Sequence, residues 1–219
     1  MPAPGEHHPA FEEYCNTIYE LREDDIDVIQ ARIAERLDIS RPAVSEMIKR
    51  MEAEGLVTTG GGIELTTAGR ELGERTARRH RLAERFLTDV LHLSWAEAHH
   101  EAGKWEHVMS ESVERAIDDL LDNPTTCPHG NPIPGSAYQP ANLSTLSSIG
   151  VGHSFTVTRI PEELEFEPGL LEFLEQSEIR PGRTGTVVAA SPDGTLTVTI
   201  GERHVGVGAF ASDRILVAT

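Results

Sequence analysis

The sequence is poor in lysine, cysteine, aromatic residues and long apolar runs. No apolar stretch among its 219 residues approaches the ~20 needed to cross a bilayer. The segment Met1–His8 lacks the basic-then-apolar order of a signal peptide, so we expect a cytoplasmic protein with no membrane partner. The two cysteines, Cys15 and Cys127, form no CxxC pair. They predict reduced thiols with a structural role rather than a disulfide framework.

Positive charge is also scarce, and the formal net charge is −17. Lysine occurs only at Lys49 and Lys104, which leaves 17 arginines. A surface rich in carboxylate and poor in lysine is typical of adaptation to high salt, whereas a GC-rich genome would also favour arginine, and both explanations stay open. Residues 31–55 are locally neutral, so the acidic balance does not exclude nucleic-acid binding there.

The first 90 residues carry the pattern of a winged helix-turn-helix. Apolar spacing predicts helices over 9–23, 27–37 and 41–54, with a capping serine and an early-helix proline before the third. Two short β-stretches around Gly60–Gly62 predict the wing, and a further helix should run from about Thr67 to residue 90. We place the DNA-binding domain at residues 1–75.

Helix-turn-helix geometry puts the helix at 41–54 in the major groove. Its candidate DNA contacts divide into two sets, base-facing and phosphate-facing. The base-facing set is Ser40, Pro42, Ser45 and Glu46, and the phosphate-facing set is Arg41, Lys49 and Arg50. Glu46 could accept from cytosine N4 and Pro42 could touch a thymine methyl. The alternative is an ordinary solvated helix of a three-helix bundle.

Beyond the winged helix, the chain is first helical and then β-rich. Residues 94–122 read as helix, whereas 123–152 contain five prolines and no Asp, Glu, Lys or Arg, which marks a connector. Short strands follow at 155–159, 185–190, 196–200 and 204–208, with a helix at about 169–176. We therefore predict an α+β fold with a helical domain at 76–138, a linker at 139–152 and an SH3-like β-barrel at 153–219.

Two helical stretches carry potential metal ligands. His80 and Glu84 lie four residues apart and share one helix face. On the next stretch, His99, Gly103, Glu106 and His107 fall within an arc of roughly 120°. Imidazole and carboxylate on one face suit a divalent first-row metal, although a solvated His–Glu pair is the common alternative for either stripe.

Several motifs together resemble the diphtheria-toxin-repressor family of iron- and manganese-dependent regulators. They are "IYEL", "RIAERLDISRPAVSEMIKRME", "RRHRLAERFL", "KWEHVMSESVER" and "GNPIPG", between residues 9 and 136, with a weaker match at "FLEQSEIRPGRTGTV". The resemblance implies a homodimeric repressor that binds promoter DNA of metal-homeostasis genes when metal is bound. It makes residues 76–138 the metal-binding and dimerisation domain and implies no small organic ligand.

The resemblance also implies two metal sites. His80, Glu84 and His99 match the ancillary ligands, and Glu167 matches a carboxylate from the tail. The family's second tail ligand falls on Leu170, so Glu172 is a substitute at best. Glu13, Glu106 and His107 match the primary site, where Gly103 replaces the usual cysteine or glutamate. The backbone carbonyl of Gly103 or a water could take that place.

The expected donors are oxygen and imidazole, a hard set that favours Mn²⁺ and leaves Fe²⁺ as the alternative. Gly103 keeps open a second reading, a winged-helix regulator whose metal sites are vestigial. A metallohydrolase is a remote third reading, because it needs an open coordination position beside a general base. Glu101 points away from the metal stripe and no HExxH motif occurs, so we predict no enzyme activity.

Overall fold

The computed structural model describes residues 8–219, which form a head, a set of middle helices and a tail. The head comprises three helices and a two-stranded hairpin, α1 (Pro9–Glu23), α2 (Gln30–Arg36), α3 (Arg41–Ala53), β1 (Val57–Thr58) and β2 (Glu64–Leu65). The Ser40 hydroxyl caps α3 by accepting a hydrogen bond from the Ala43 amide. The predicted winged helix is confirmed, although α2 is shorter than the predicted 27–37.

Helix α4 (Thr67–Asp89) joins the head to the middle helices. Thr66 caps its start by accepting from the Gly69 amide. Its first half packs on α1, and a Cβ at Gly73 would lie 2.6 Å from the Cys15 carbonyl oxygen. Because only glycine permits this approach, α1 and α4 meet backbone to backbone and hold the head close to the second half of α4.

The middle helices continue as α5 (Trp95–Trp105) and α6 (Glu111–Leu120). Ser94 and Glu97 form a capping box at the start of α5. The helical pattern predicted over 94–122 forms two helices, because the chain leaves the helical path after Trp105. The Ser110 hydroxyl accepts from the Val113 amide and starts a separate helix.

The tail is one antiparallel sheet with short helices. Its elements are β3 (Ser144–Thr145), a 3-10 turn (Leu146–Ser148), β4 (Ser154–Arg159), α7 (Glu162–Glu165), α8 (Leu170–Gln176), β5 (Thr184–Ala190), β6 (Leu196–Ile200), β7 (Arg203–Val207), α9 (Ala209–Ser212) and β8 (Leu216–Ala218). The strand order is β3-β8-β4-β5-β6-β7, so β3 and β7 are edges. The SH3-like class is right, but the expected closed barrel is an open sheet.

The proline-rich connector is packed rather than solvated. Cys127, His129 and Asn131 are buried between the middle helices and the tail. The His129 carbonyl accepts from the Ile160 amide at 2.8 Å. Gly130 has φ +89°, and a Cβ there would lie 2.2 Å from the Thr158 carbonyl oxygen. The segment therefore docks on the end of β4 by direct backbone contact.

Three apolar cores follow this division, one in the head, one among α4–α6 and one in the tail. Trp95, at the start of α5, belongs to the tail core and ties the two parts together. Across residues 8–219, no helix has the length and apolar character required to cross a membrane.

Candidate metal centre and nucleic-acid interface

His80, on α4, stands between two clusters of ligating side chains. Its Nδ1 lies 2.5 Å from Oε2 of Glu106, the C-cap of α5, and its Nε2 lies 3.2 Å from Glu84 Oε1 and 3.2 Å from His99 Nδ1. The i,i+4 spacing of His80 and Glu84 therefore puts both on the face that meets α5, as the sequence predicted. One imidazole links the two clusters described next.

The first cluster, here called the buried group, comprises Glu84, Cys127, His129 and Glu165. Ligand atoms of Glu84, Cys127 and His129 lie within 4.8 Å of one another. His129 Nδ1 lies 2.8 Å from Glu165 Oε2 and 3.6 Å from Glu84 Oε1. His99 Nδ1 closes the group, 3.0 Å from Glu84 Oε1 and 3.2 Å from Glu165 Oε2.

The buried group has polar atoms without partners. Within residues 8–219, both ring nitrogens of His129, Oε2 of Glu84 and Oε2 of Glu165 are buried and make no hydrogen bond of acceptable geometry. The 2.8 Å approach of His129 to Glu165 is an ion-pair contact only. Unmade hydrogen bonds on buried atoms are costly, whereas donors about 3 to 3.5 Å apart suit a cation with bonds of about 2.0–2.3 Å. The residues present thus fit a divalent metal.

The second cluster, here called the interdomain group, comprises Glu13, Glu106 and His107. His107 Nε2 lies 3.1 Å from Glu13 Oε2 and 3.3 Å from Glu106 Oε1. Its Nδ1 lies 2.8 Å from Glu12 Oε2, and that carboxylate is buried. Glu12 and Glu13 belong to α1 of the head, and His107 follows α5. This group therefore spans the junction between the head and the middle helices.

Close contacts within the two clusters shift the pKa values of their histidines and carboxylates. Burial disfavours the imidazolium of His99, but its close contacts with the carboxylates of Glu165 and Glu84 outweigh that effect and raise its pKa to about 10. Hydrogen bonds to Glu12 and Glu13 raise the pKa of His107 to about 10. Burial opposes ionisation of Glu84, yet His129 and His80 hold its pKa well below the usual range. Without metal, protons on these histidines balance the carboxylates.

Most of the predicted ligands lie in or beside the two clusters. The structure brings His80, Glu84 and His99 together, and likewise Glu13, Glu106 and His107. Gly103 lines the same cleft of about 330 Å³ as Glu13, His80 and Glu106, and an added Cβ would meet no described atom within 4 Å.

The predicted tail ligands lie apart from both clusters in the structure. Glu167 and Glu172 are exposed and belong to neither cluster. Helix α7 ends before Glu167, and its last residue, Glu165, points into the buried group instead. Glu172 lies on α8, whose buried face is formed by Leu171 and Leu174.

Sequence reasoning missed Cys127, His129, Glu165 and Glu12. The structural role assigned to Cys127 was incomplete, because its thiol lies among the ligand atoms of the buried group. The available signal was the C-P-H run just before "GNPIPG", whose spacing puts a thiol and an imidazole two residues apart. The proline-rich composition drew attention to a linker and away from its ligands.

The candidate DNA surface is the exposed side of α3 and the hairpin. Six of the seven residues predicted to contact DNA are exposed, namely Ser40, Arg41, Pro42, Glu46, Lys49 and Arg50. The seventh, Ser45, is half-buried. The Arg50 guanidinium lies 5.6 Å from the Phe11 ring centre, so α1 restricts its direction. The arrangement offers a helix face and a wing, as major-groove reading requires.

Comparison with known proteins decides the family. Residues 8–61 match the iron dependent repressor N-terminal DNA binding domain, 66–135 match the iron dependent repressor metal binding and dimerisation domain, and 144–219 match the FeoA domain. The iron-dependent repressor IdeR of Mycobacterium tuberculosis is 42% identical over 202 residues, covering 86% of this chain and 87% of that protein. The chain belongs to the diphtheria-toxin-repressor family.

Other relatives agree on regulation and differ on the metal. The diphtheria toxin repressor of Corynebacterium diphtheriae is 40% identical over 77% of this chain and 72% of its own. A solved manganese-dependent transcriptional repressor in complex with manganese aligns with a TM-score of 0.85 at 30% identity, over 95% of this chain and 99% of that one. These are DNA-binding regulators, so the chain is an iron/manganese-dependent type of transcriptional repressor and not an enzyme.

Proposed function

We propose that this protein is a cytoplasmic homodimer that binds promoter DNA of metal-homeostasis genes when the buried and interdomain groups hold Mn²⁺ or Fe²⁺. The observation that carries the proposal is the contact of His107 with Glu12 and Glu13, which joins the segment after α5 to the head. A divalent cation at such a junction supplies one positive centre that several carboxylates can share. Its binding would favour the head orientation in which these side chains meet.

The buried group would hold one ion through Glu84, Cys127, His129 and Glu165, with His99 beside it. The interdomain group would hold a second through Glu13, Glu106 and His107, with His80 between the two. Gly103 contributes no side chain, so water or its own carbonyl would complete the second site. Because that site is more open and has fewer donors, we expect it to bind its ion more weakly.

Metal preference follows from the donors. The interdomain group offers carboxylate and imidazole, a hard set that suits Mn²⁺ and also accepts Fe²⁺. The buried group adds the Cys127 thiol, a softer ligand than manganese usually prefers. Mn²⁺ remains our first choice for activation, and the thiol makes Fe²⁺ a stronger competitor than the sequence suggested.

A second copy of the chain is the partner proposed for an exposed apolar face on the middle helices. Val108 is 80% exposed, and Val113 and Leu120 on α6 are 48% and 63% exposed. The segment matches a dimerisation domain at residues 66–135. Burial of this face in a symmetric dimer would set the spacing of two recognition helices.

Fluorescence anisotropy tests the proposal with DNA from upstream of the protein's own gene and of nearby metal-transporter genes. The protein is titrated without oxygen, in moderate and high KCl, with Mn²⁺, Fe²⁺ or chelator. We expect tight binding only with metal, and stronger activation by Mn²⁺. Specific binding that ignores metal and chelator would overturn metal control and favour vestigial sites.

A further inference from the structure

We propose that Asn131 is a positioning residue that couples the buried group to the DNA-binding head through a continuous run of side-chain hydrogen bonds. The inference rests on the proposed function, because it concerns how a metal at the buried group reaches DNA binding. The run passes from Glu165 through Asn131 and Arg159 to Glu23 and Asp24 at the end of α1. It involves none of the interdomain ligands.

The first step joins the buried group to Asn131. The Asn131 side-chain NH₂ donates to Glu165 Oε1 at 2.7 Å and to the Ile160 carbonyl at 3.0 Å. Glu165 presents its other oxygen to His129 and His99. The Glu165 carboxylate thus contacts Asn131 through Oε1 and the histidines through Oε2. Metal binding or protonation at Oε2 would therefore change the negative charge on Oε1, the oxygen that accepts from Asn131.

The second step joins Asn131 to the head. Arg159 Nε donates to Asn131 Oδ1 at 2.6 Å, and Arg159 Nη2 donates to Glu23 Oε2 at 2.9 Å and Asp24 Oδ1 at 2.5 Å. Asn131 is fully buried and Arg159 is 8% exposed, so water screens this path weakly. The Asn131 amide uses both its NH₂ group and its Oδ1 in hydrogen bonds. A rotation of the amide would therefore leave a buried partner unsatisfied.

The run of hydrogen bonds ends at Glu23 and Asp24, which lie at the C-terminal end of α1. Glu23 is the last residue of α1, and Asp24 is its C-cap. The other end of the same helix carries Glu12 and Glu13 of the interdomain group. Helix α1 is therefore held at its start by one group and at its end by the run from the other, so both ions would bias the same rigid element.

A second contact to Glu23, from Arg81, bypasses Asn131. Arg81 Nη2 also reaches Glu23 Oε2, at 2.7 Å, and its Nε reaches Glu162 Oε1 at 3.1 Å. Arg81 reaches Glu23 without passing through Asn131, so it attaches the head to α4 independently of the Asn131 amide. Loss of Asn131 should therefore leave the head attached while its response to metal is lost.

The test compares Asn131→Asp, Asn131→Ala and the surface control Asn142→Ala in the full-length dimer. Asn131→Asp keeps the oxygen that accepts from Arg159 but loses the donor to Glu165. Hydrogen–deuterium exchange is measured with and without Mn²⁺ over residues 127–131 and 17–24. DNA affinity with and without Mn²⁺ gives the coupling factor, for which about 5- to 150-fold is usual.

We expect Mn²⁺ to slow exchange in both segments of the wild type and of Asn142→Ala. In Asn131→Asp and Asn131→Ala, slowing should persist at 127–131 and disappear at 17–24, and the coupling factor should fall by about fivefold or more. An Asn131→Asp protein that retains full coupling would overturn the inference, because it lacks the donor to Glu165. If either variant unfolds, Arg159→Lys removes the Nε donor while keeping a cation near Asp24, and it should show the same loss.

The wild type separates this inference from the proposed function. If Mn²⁺ changes neither exchange at 127–131 nor DNA affinity in the wild type, the metal-regulated function itself is wrong and the inference falls with it. If the wild type responds in full and the Asn131 variants respond equally, only the relay is wrong. Non-additive effects of Asn131→Ala and Arg159→Lys on the coupling factor would place both residues on one path.

Discussion

Single side chains decide which groups can hold a cation. His80 faces Glu106 with one ring nitrogen and Glu84 and His99 with the other, so it contacts both clusters. The two cysteines illustrate how position outweighs composition. Cys127 lies among Glu84 and His129, whereas Cys15 is buried in the apolar core of the head. Both are free thiols, and among residues 8–219 Cys127 alone lies in a group of potential metal ligands.

Cys127→Ser should weaken metal binding at the buried group, because it removes a thiolate donor while nearly preserving size. We expect at least a tenfold loss in affinity, of the order seen when the environment of a metal ligand is disturbed. Titration with Co²⁺ measures it, since thiolate ligation adds a near-ultraviolet band that the variant should lack. Cys15→Ser is the matched control and should keep both the band and the affinity. An unchanged band in Cys127→Ser would contradict ligation by this thiol.

The raised pKa values predict opposite pH trends with and without metal. His99 and His107 have pKa values of about 10 in the folded chain against 6.5 when unperturbed. The folded state therefore holds extra protons between pH 6.5 and 10, and their stabilising contribution, complete below pH 6.5, is lost as pH rises. We expect the melting temperature in chelator to fall from pH 6.5 to 8.5.

Metal affinity should rise over the same interval, because an imidazolium cannot coordinate and its proton must leave first. Calorimetric titration with Mn²⁺ in buffers of different ionisation enthalpy counts the released protons. His107→Gln should flatten both trends. A metal-free protein whose melting temperature rises with pH, or Mn²⁺ binding without proton release, would argue against these protonation states.

At the scale of elements, regular periodicity predicted most of the fold, and caps corrected the rest. The apolar spacing of 9–23 and the Ser40 cap located α1 and α3 closely. The apolar pattern of 94–122 is helical throughout, but the structure has a break between α5 and α6, where Ser110 caps the start of α6. Glu165 and His129 could not be assigned as ligands from sequence, because they meet only when the connector docks on β4.

Gly130→Ala tests that docking. Alanine disfavours φ +89° and would place its Cβ 2.2 Å from the Thr158 carbonyl oxygen, so we expect a loss of roughly 2–4 kcal/mol in unfolding free energy. Gly135→Ala is the matched control, because its φ is +76° and its nearest described neighbour is 4.0 Å away. That variant should lose only about 1 kcal/mol. Equal losses in urea denaturation would show that the close approach to β4 contributes nothing.

At the scale of the whole molecule, the acidic chain carries the proposed DNA surface on its head and the proposed dimer face on the middle helices. The net charge of −17 is spread beyond the recognition helix, whose exposed basic residues include Arg41 and Lys49. Three cores joined by buried ion pairs allow the head to respond to metal as a unit. A dimer of such chains would present two recognition helices together.

Val113→Asp should disrupt the dimer by placing a carboxylate on the exposed apolar face of α6. Analytical ultracentrifugation should show at least a tenfold weaker dimer, and DNA binding should weaken with it. Val151→Asp is the matched control, because Val151 is similarly exposed (55% against 48%) but lies in the tail. A dimer that tolerates Val113→Asp as well as Val151→Asp would place the interface elsewhere.

The most direct test of metal-coupled DNA binding is the Mn²⁺ affinity of the wild type measured with and without its own promoter DNA. If metal and DNA favour the same head orientation, DNA must tighten Mn²⁺ binding by the same factor by which Mn²⁺ tightens DNA binding. We expect both factors to agree and to exceed about fivefold. Identical Mn²⁺ affinities in the presence and absence of DNA would show that the clusters bind metal without controlling the head.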